Sequence, residues 1–353
     1  MRLFKCQACG QILHFENTIC EKCGHRLAYQ PAATTMSAIE PEGDAWKALA
    51  SPGVPFGFCD NAQHGSCNWL IEAAAPGTLC LCCRHNRMIP DIGQDENAQA
   101  WRKIEGAKHR LFYSLLRLKL PLATKLEQAE TGLAFDFLAD PVGHGAKVMT
   151  GHDNGLITIA LKEADDAERE KSRVAMHEPY RTLLGHFRHE VGHYFWDRLV
   201  RDGGQLDACR ALFGDDTLDY GPALQRHYEQ GAPVDWRSSF VTAYATMHPW
   251  EDFAETWAHY MHLIDTLETA GAFALSTRPK LAQGDELDSS VDFAPYRTQP
   301  FDRLVESWMP LTIALNSLNR SMGQPDLYPF VLSAPALEKL AFVHRLVHPG
   351  APP

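Results

Sequence analysis

The sequence predicts an α+β chain, mainly α, in which two small cysteine-rich units precede a helical body. Three observations predict it. Nine of the ten cysteines lie between Cys6 and Cys83. From Asp95 onward apolar residues recur at helical spacing over several long segments, interrupted by two short alternating runs near 135 and 156. No stretch approaches the roughly 18 consecutive apolar residues of a membrane span, so no membrane partner is expected.

With 353 residues, 45% hydrophobic and 22% charged, the chain has globular proportions that exclude wholesale disorder. At roughly 100–200 residues per domain it fills two or three units. Its net charge is -11, and it has no Lys/Arg clusters with interleaved aromatics. That balance argues against a general nucleic-acid binder, which relies on clustered cations. The opening Met1-Arg2-Leu3-Phe4-Lys5-Cys6 reaches cysteine and polar residues too early for a secretory signal. A cytoplasmic location is expected, and there cysteines paired at short spacing read as metal ligands rather than disulfides.

The first unit, residues 1–30, contains Cys6-Gln7-Ala8-Cys9 and, ten residues on, Cys20-Glu21-Lys22-Cys23. Two Cys-x-x-Cys knuckles supply four thiolates, the set that suits tetrahedral zinc. Gly10 and Gly24 follow the knuckles, where the turn back under a metal favours positive φ. The small and polar stretch from Gln30 to Ala38 reads as a linker. With it, residues 31–95 make up the second ribbon, whose ligands are taken as Cys59, Cys67, Cys80 and Cys83. Cys82, His64 and His85 compete for places in that set. A closed four-cysteine site leaves no open coordination position, so both zincs are read as structural, and the ribbons as a docking surface for a protein partner.

Helical periodicity predicts helices near 97–118, 178–199, 250–268, 301–320 and 334–347. Phe135–Leu138 and Gly155–Leu161 read as strands. A Gly-, Asp- and Ser-rich loop is expected near 283–290. Residues 96–265 form the core in this reading, and 266–353 a helical C-terminal subdomain. Residues 202–238 are mixed, and their position makes them a candidate wall of a cleft.

The strongest signal is His189-Glu190-Val191-Gly192-His193. Four-residue spacing puts both imidazoles on one helix face, able to share one Zn²⁺, with Glu190 beside them as general base for a metal-activated water. Composition alone produces HExxH in roughly one of twenty such chains, so context matters. Here the motif lies on an amphipathic helix between Phe187 and Phe195. A catalytic zinc needs a third protein ligand. Trp196 and Leu199 stand where a metzincin extension requires Gly and His, which excludes that route. The alternative is a carboxylate from the helix opening at Pro249. Glu251 lies in its first turn, and Glu255, one turn later, suits a carboxylate that accepts the free N–H of a ligating histidine. His259 and His262 are fallback ligands. Tyr244 supplies a phenol that can hydrogen-bond a developing oxyanion.

On these residues, the span from Gly155 to His262 resembles the gluzincin metallopeptidases. The Tyr-x6-Glu-x3-Glu arrangement after HExxH is similar to the anthrax lethal factor type. The resemblance implies that Tyr244 assists the oxyanion, that Glu251 completes the catalytic zinc site, and that the strand Leu156–Leu161 is an edge strand aligning an extended substrate. Trp250 departs from the thermolysin pattern, which has asparagine before the glutamate ligand. Over nearly its whole length the chain resembles bacterial zinc-binding metallopeptidases with an N-terminal zinc-ribbon region; Leu315–Met322 and Tyr328-Pro329-Phe330 add to this. The implied fold is N-terminal zinc ribbons followed by a gluzincin-like metallopeptidase core. The implied function is zinc-dependent hydrolysis of a peptide or protein substrate, with one catalytic and two structural zincs. The alternative is a zinc-ribbon binding or regulatory module with a degenerate, non-catalytic core.

Overall fold

Gly10 and Gly24 adopt φ of 74° and 75°, a left-handed conformation that turns the chain back after each knuckle without a Cβ penalty. Flanking the first knuckle, β1 (Phe4–Lys5) pairs with β2 (Ile12–Leu13). The computed structural model describes residues 1–73, 75, 77–141, 145–175, 178–280, 287–297 and 300–349. Its contacts divide the chain into two units, Met1–Arg169 and Glu170–Pro353.

In the first unit β3 (Arg26–Gln30), β4 (Thr35–Glu42), β5 (Ala45–Ala48), β6 (Pro55–Phe58) and β7 (Leu70–Glu72) form an antiparallel meander. A bridge between Tyr29 and Trp69, in which the Tyr29 amide donates to the Asn68 carbonyl at 2.8 Å, joins β3 to the start of β7. The sheet thereby closes into a small barrel around Ala28, Ile39, Ala48, Phe56 and Leu70. Residues 30–38, expected to be a linker, are instead the end of β3, a turn, and the start of β4. Met36, Ser37 and Ala38 are all fully buried. A strand covered on both faces shows no alternation of apolar and polar residues, so small side chains there read as loop.

β8 (Asn86–Met88) leads into α1 (Asp95–Arg117), then β9 (Ala134–Leu138), β10 (Gly151–Asp153) and β11 (Leu156–Ala160). These strands form a mixed sheet in the order β10-β11-β9-β8. α1 packs between barrel and sheet: Tyr113 stands 6.3 Å from Tyr29 of β3, and Phe112 faces Phe135 of β9 at 6.1 Å. The strand expected to be an edge is therefore interior. Asn154 and Gly155, at φ 47° and 81°, make the two-residue turn that folds β10 back along β11. The other side of β11 is taken by β9.

α2 (Asp166–Ala175) spans the division between the units. The second unit is helical: α3 (Leu183–Phe195), continued by a π-helical turn at Trp196–Arg201, then α4 (Leu206–Phe213), α5 (Tyr220–Gln230) and α6 (Pro249–Ala272). A short hairpin of β12 (Ser276–Thr277) and β13 (Ser289–Ser290) precedes α7 (Phe301–Ser321) and α8 (Ala334–Val347). Of the loop expected at 283–290, residues 283–286 lie outside the described residues. α6 forms the centre of this unit, with Phe253, Trp257, Tyr260 and Ile264 fully buried. The chain is thus mixed α/β, with eight α-helices among the described residues. No helix of those residues is long and apolar enough to cross a membrane.

Candidate metal centre

Two helices position the site. α3 starts where Thr182 Oγ1 accepts the Gly185 amide at 3.0 Å, an N-cap that sets its first turn. α6 starts at Pro249, and the preceding His248 caps it: Nδ1 accepts the Trp250 amide at 3.1 Å, while Nε2 donates to the Leu218 carbonyl at 3.0 Å. The helices approach closely at Gly192, where a Cβ would stand 3.1 Å from Ala254 Cα. Phe195 stacks on Trp257 at 4.9 Å beside this contact. The pairing brings His189 and His193 of α3 against Glu251 of α6.

The ligand atoms of these three residues lie within 4.8 Å of one another. Nε2 of His189 and Nε2 of His193 are 3.2 Å apart; Glu251 Oε2 lies 3.0 Å from the first, and its other oxygen, Oε1, lies 3.4 Å from the second. Zinc held at about 2.0–2.1 Å in a tetrahedron spaces its nitrogen and oxygen ligands about 3.3–3.4 Å apart, so the set fits. Chemistry agrees with geometry. His189 Nδ1 lies 2.6 Å from Glu255 Oε1, which can only accept, so Nδ1 carries the proton and Nε2 is left for a metal. Glu251 Oε2 is buried and accepts no hydrogen bond, an arrangement that calls for a cation. Burial alone would lower the His189 imidazole, but Glu251 and Glu255 outweigh it and hold it well above the usual range. Burial would raise Glu251; the two histidines hold it well below the carboxylate range instead.

Glu190 is buried on α3 between the two histidines. Burial pushes its carboxyl up, against the pull of His189 and His193. The Tyr244 ring centroid stands 6.0 Å from that of His189, and burial and the Glu251 charge push its phenol up. Trp250 takes a place the sequence did not announce: its indole lies against the His193 imidazole at a tilt of 33°, centroids 3.7 Å apart, and so helps fix the orientation of that ring. Sequence reasoning also missed Tyr220, the first residue of α5, whose hydroxyl donates to Glu251 Oε1 at 2.9 Å. No local pattern links residues 31 positions apart. The fallback ligands stand elsewhere. His259 Nδ1 is 2.7 Å from the Tyr328 hydroxyl, and His262 accepts from Arg188 at 2.6 Å.

The cysteines form two further groups, Cys6, Cys9, Cys20 and Cys23, and Cys59, Cys67, Cys80 and Cys83. Sulfur pairs stand 3.6 Å (Cys6–Cys23), 3.6 Å (Cys9–Cys20) and 3.7 Å (Cys67–Cys80) apart. Those are far beyond a disulfide, about 2.05 Å, and near the roughly 3.8 Å edge of a tetrahedron with Zn–S of about 2.3 Å. In the second group the amides of Trp69, Cys80 and Cys83 donate to Cys67, Cys59 and Cys80 sulfurs at 3.3–3.4 Å, which favours thiolates. Cys82 is fully buried outside this set. His85 is held by the Leu81 and Leu122 carbonyls at 2.9 and 3.2 Å, and the His64 ring faces Trp101. The histidine beside this group is one the sequence did not single out. His109 donates from Nδ1 to the Glu105 carbonyl at 2.7 Å and turns Nε2 to Cys67 Sγ at 3.3 Å.

Residues 97–346 match the family described as "Putative zinc-binding metallo-peptidase", and a zinc-ribbon domain matches residues 3–94, across both cysteine groups. An uncharacterized protein of Mycobacterium bovis is 41% identical over 353 residues, covering 100% of this chain and 97% of its own. Uncharacterized proteins of two strains of Mycobacterium tuberculosis show the same identity and coverage. No solved structure gives a significant match.

Proposed function

The chain belongs to the zinc-binding metallo-peptidase family, and we propose that it hydrolyses peptide bonds at the centre built by His189, His193 and Glu251. One observation carries the reading. Two imidazole nitrogens from the helix that also bears Glu190 converge, within 4.8 Å, with a buried carboxylate oxygen of α6 that accepts no hydrogen bond and lies 3.0 Å from one of them. The residue pattern, HExxH followed by a glutamate on a later helix, is that of gluzincins, and the Tyr244–Glu251 spacing is that of the lethal factor type.

Zinc, when bound, supplies Lewis acidity toward the attacking water and the scissile carbonyl. Glu190 takes the proton of that water and returns it to the leaving amine. Tyr244 donates its phenolic hydrogen to the oxyanion. Glu255, by accepting from His189 Nδ1, keeps Nε2 turned toward the metal. The substrate class is a peptide or protein. Each cysteine group is a closed four-thiolate set and is assigned a structural zinc. The family boundaries near residue 95 support a ribbon region followed by the peptidase region with its helical C-terminal part.

Glu190→Gln in the full chain is the test. It should retain about three zincs per chain and lose hydrolysis of an unfolded protein such as casein. Wild-type hydrolysis by this variant would remove Glu190 as the base. A wild-type content of about two zincs, unchanged in His189→Ala, would favour instead a ribbon-based binding module with a non-catalytic core.

A further inference from the structure

We infer that Tyr220 fixes how Glu251 meets the metal, holding back one carboxylate oxygen so that only the other is offered. The inference rests on the reading of His189, His193 and Glu251 as a zinc centre. The two oxygens of Glu251 have different surroundings. Oε1 accepts the Tyr220 hydroxyl at 2.9 Å. Oε2 is buried, accepts no hydrogen bond, and lies 3.0 Å from His189 Nε2. Oε1 also lies only 3.4 Å from His193 Nε2, so without the phenol both oxygens are within reach of one cation. A carboxylate bound through both oxygens would crowd the position that a catalytic centre keeps open for water or substrate.

The surroundings of Tyr220 hold it to this task. Its ring stands 5.5 Å from that of His248 and meets Trp250 edge-on at 6.2 Å. The Leu218 carbonyl, two residues earlier, accepts from His248 Nε2 at 3.0 Å. Asp219 caps α5 by accepting the Gly221 amide at 3.3 Å. The start of α5 is therefore clasped to the start of α6, on the residues that immediately precede Glu251. Seven residues along, on the same face of α5, the His227 ring meets Tyr244 at 5.6 Å. One helix thus reaches from the carboxylate ligand to the phenol assigned to the oxyanion. Tyr220 is a positioning residue: it acts through Glu251.

The test compares Tyr220→Phe with wild type in the full chain, by zinc competition against a chelator and by the visible absorption of the centre reloaded with Co²⁺. The substitution removes one oxygen from a half-exposed ring, so the fold and the cysteine-bound zincs are retained. Zinc at the third centre should bind on the order of 10–100-fold more weakly. The cobalt bands should lose intensity, as four-coordinate cobalt becomes five-coordinate. Tyr228→Phe, on the exposed side of the same helix, should change neither readout. Unchanged affinity and unchanged bands in Tyr220→Phe would overturn the inference and leave the zinc centre standing. An equal loss in Tyr228→Phe would mean that α5 is merely loosened, and would also overturn it. A wild-type chain with no third metal would overturn the reading of the centre and the inference together.

Discussion

Lys339 Nζ lies 2.6 Å from Asp252 Oδ2, and both groups are buried. The ammonium also donates to the Ser239 carbonyl at 2.9 Å and sits 4.2 Å from the Phe240 ring centroid. This pair ties α8 to the first turn of α6, at the residue next to Glu251. Lys339→Met would leave the Asp252 carboxylate buried and uncompensated, and should lower stability by about 3–5 kcal/mol. The double variant Lys339→Met/Asp252→Leu should recover most of that loss, because it removes both desolvated charges. Urea unfolding of the three proteins measures this; a single variant within about 1 kcal/mol of wild type would show that the pair does not hold the helices.

Gly192→Ala should destabilise α3 against α6. The added methyl would stand 3.1 Å from Ala254 Cα and 3.2 Å from Trp257 Cβ, both fixed parts of the facing helix. Overpacking of this kind costs about 1–3 kcal/mol. Because α3 bears two of the proposed metal ligands and α6 the third, zinc should also be lost more readily. A melting temperature and chelator half-time equal to wild type would contradict the close approach.

Tyr244→Phe should lower kcat by about 10²–10³-fold, the effect of losing one oxyanion donor, with zinc content unchanged. Steady-state kinetics beside elemental analysis separates the two. Unchanged turnover would reduce Tyr244 to a packing residue between His189 and His227.

His259 should stay neutral well into acid. Burial lowers its pKa to about 4, where the unfolded chain protonates near 6.5. The unfolded state therefore takes up a proton first as pH falls. The stability linked to His259 is fully present above pH about 6.5 and is lost as pH drops toward 4, with a ceiling of about 3 kcal/mol. An NMR titration of the imidazole reports the value directly, and a midpoint near 6.5 would refute it. In His259→Gln, the fall in urea midpoint between pH 7.5 and 5 should be smaller than in wild type.

Much of the helical part was legible because each signal was local. The α3 and α6 patterns repeat every three to four residues, Pro249 marks a helix start, and Cys-x-x-Cys carries its own turn. The barrel was not legible. Met36, Ser37 and Ala38 are buried on both faces, so β4 lacks the alternation that identifies a strand. The sequence reading placed Gly155 in the strand Gly155–Leu161, whereas Asn154 and Gly155 form the turn that lets β10 cover one side of β11, which depends on pairing.

By itself the sequence determined which residue types were present at metal-binding spacing: His189 and His193 one turn apart, Glu251 and Glu255 one turn apart, and the Cys-x-x-Cys pairs. Helical and knuckle geometry act over a few residues, so spacing alone encodes them. Tertiary structure decided the rest. It placed Tyr220 on Glu251, Trp250 on His193, His109 on Cys67, and Lys339 on Asp252, and it took His259 and His262 away to Tyr328 and Arg188. Those partners lie far apart along the chain, and only the packing of whole elements, which depends on every side chain between them, brings them into contact.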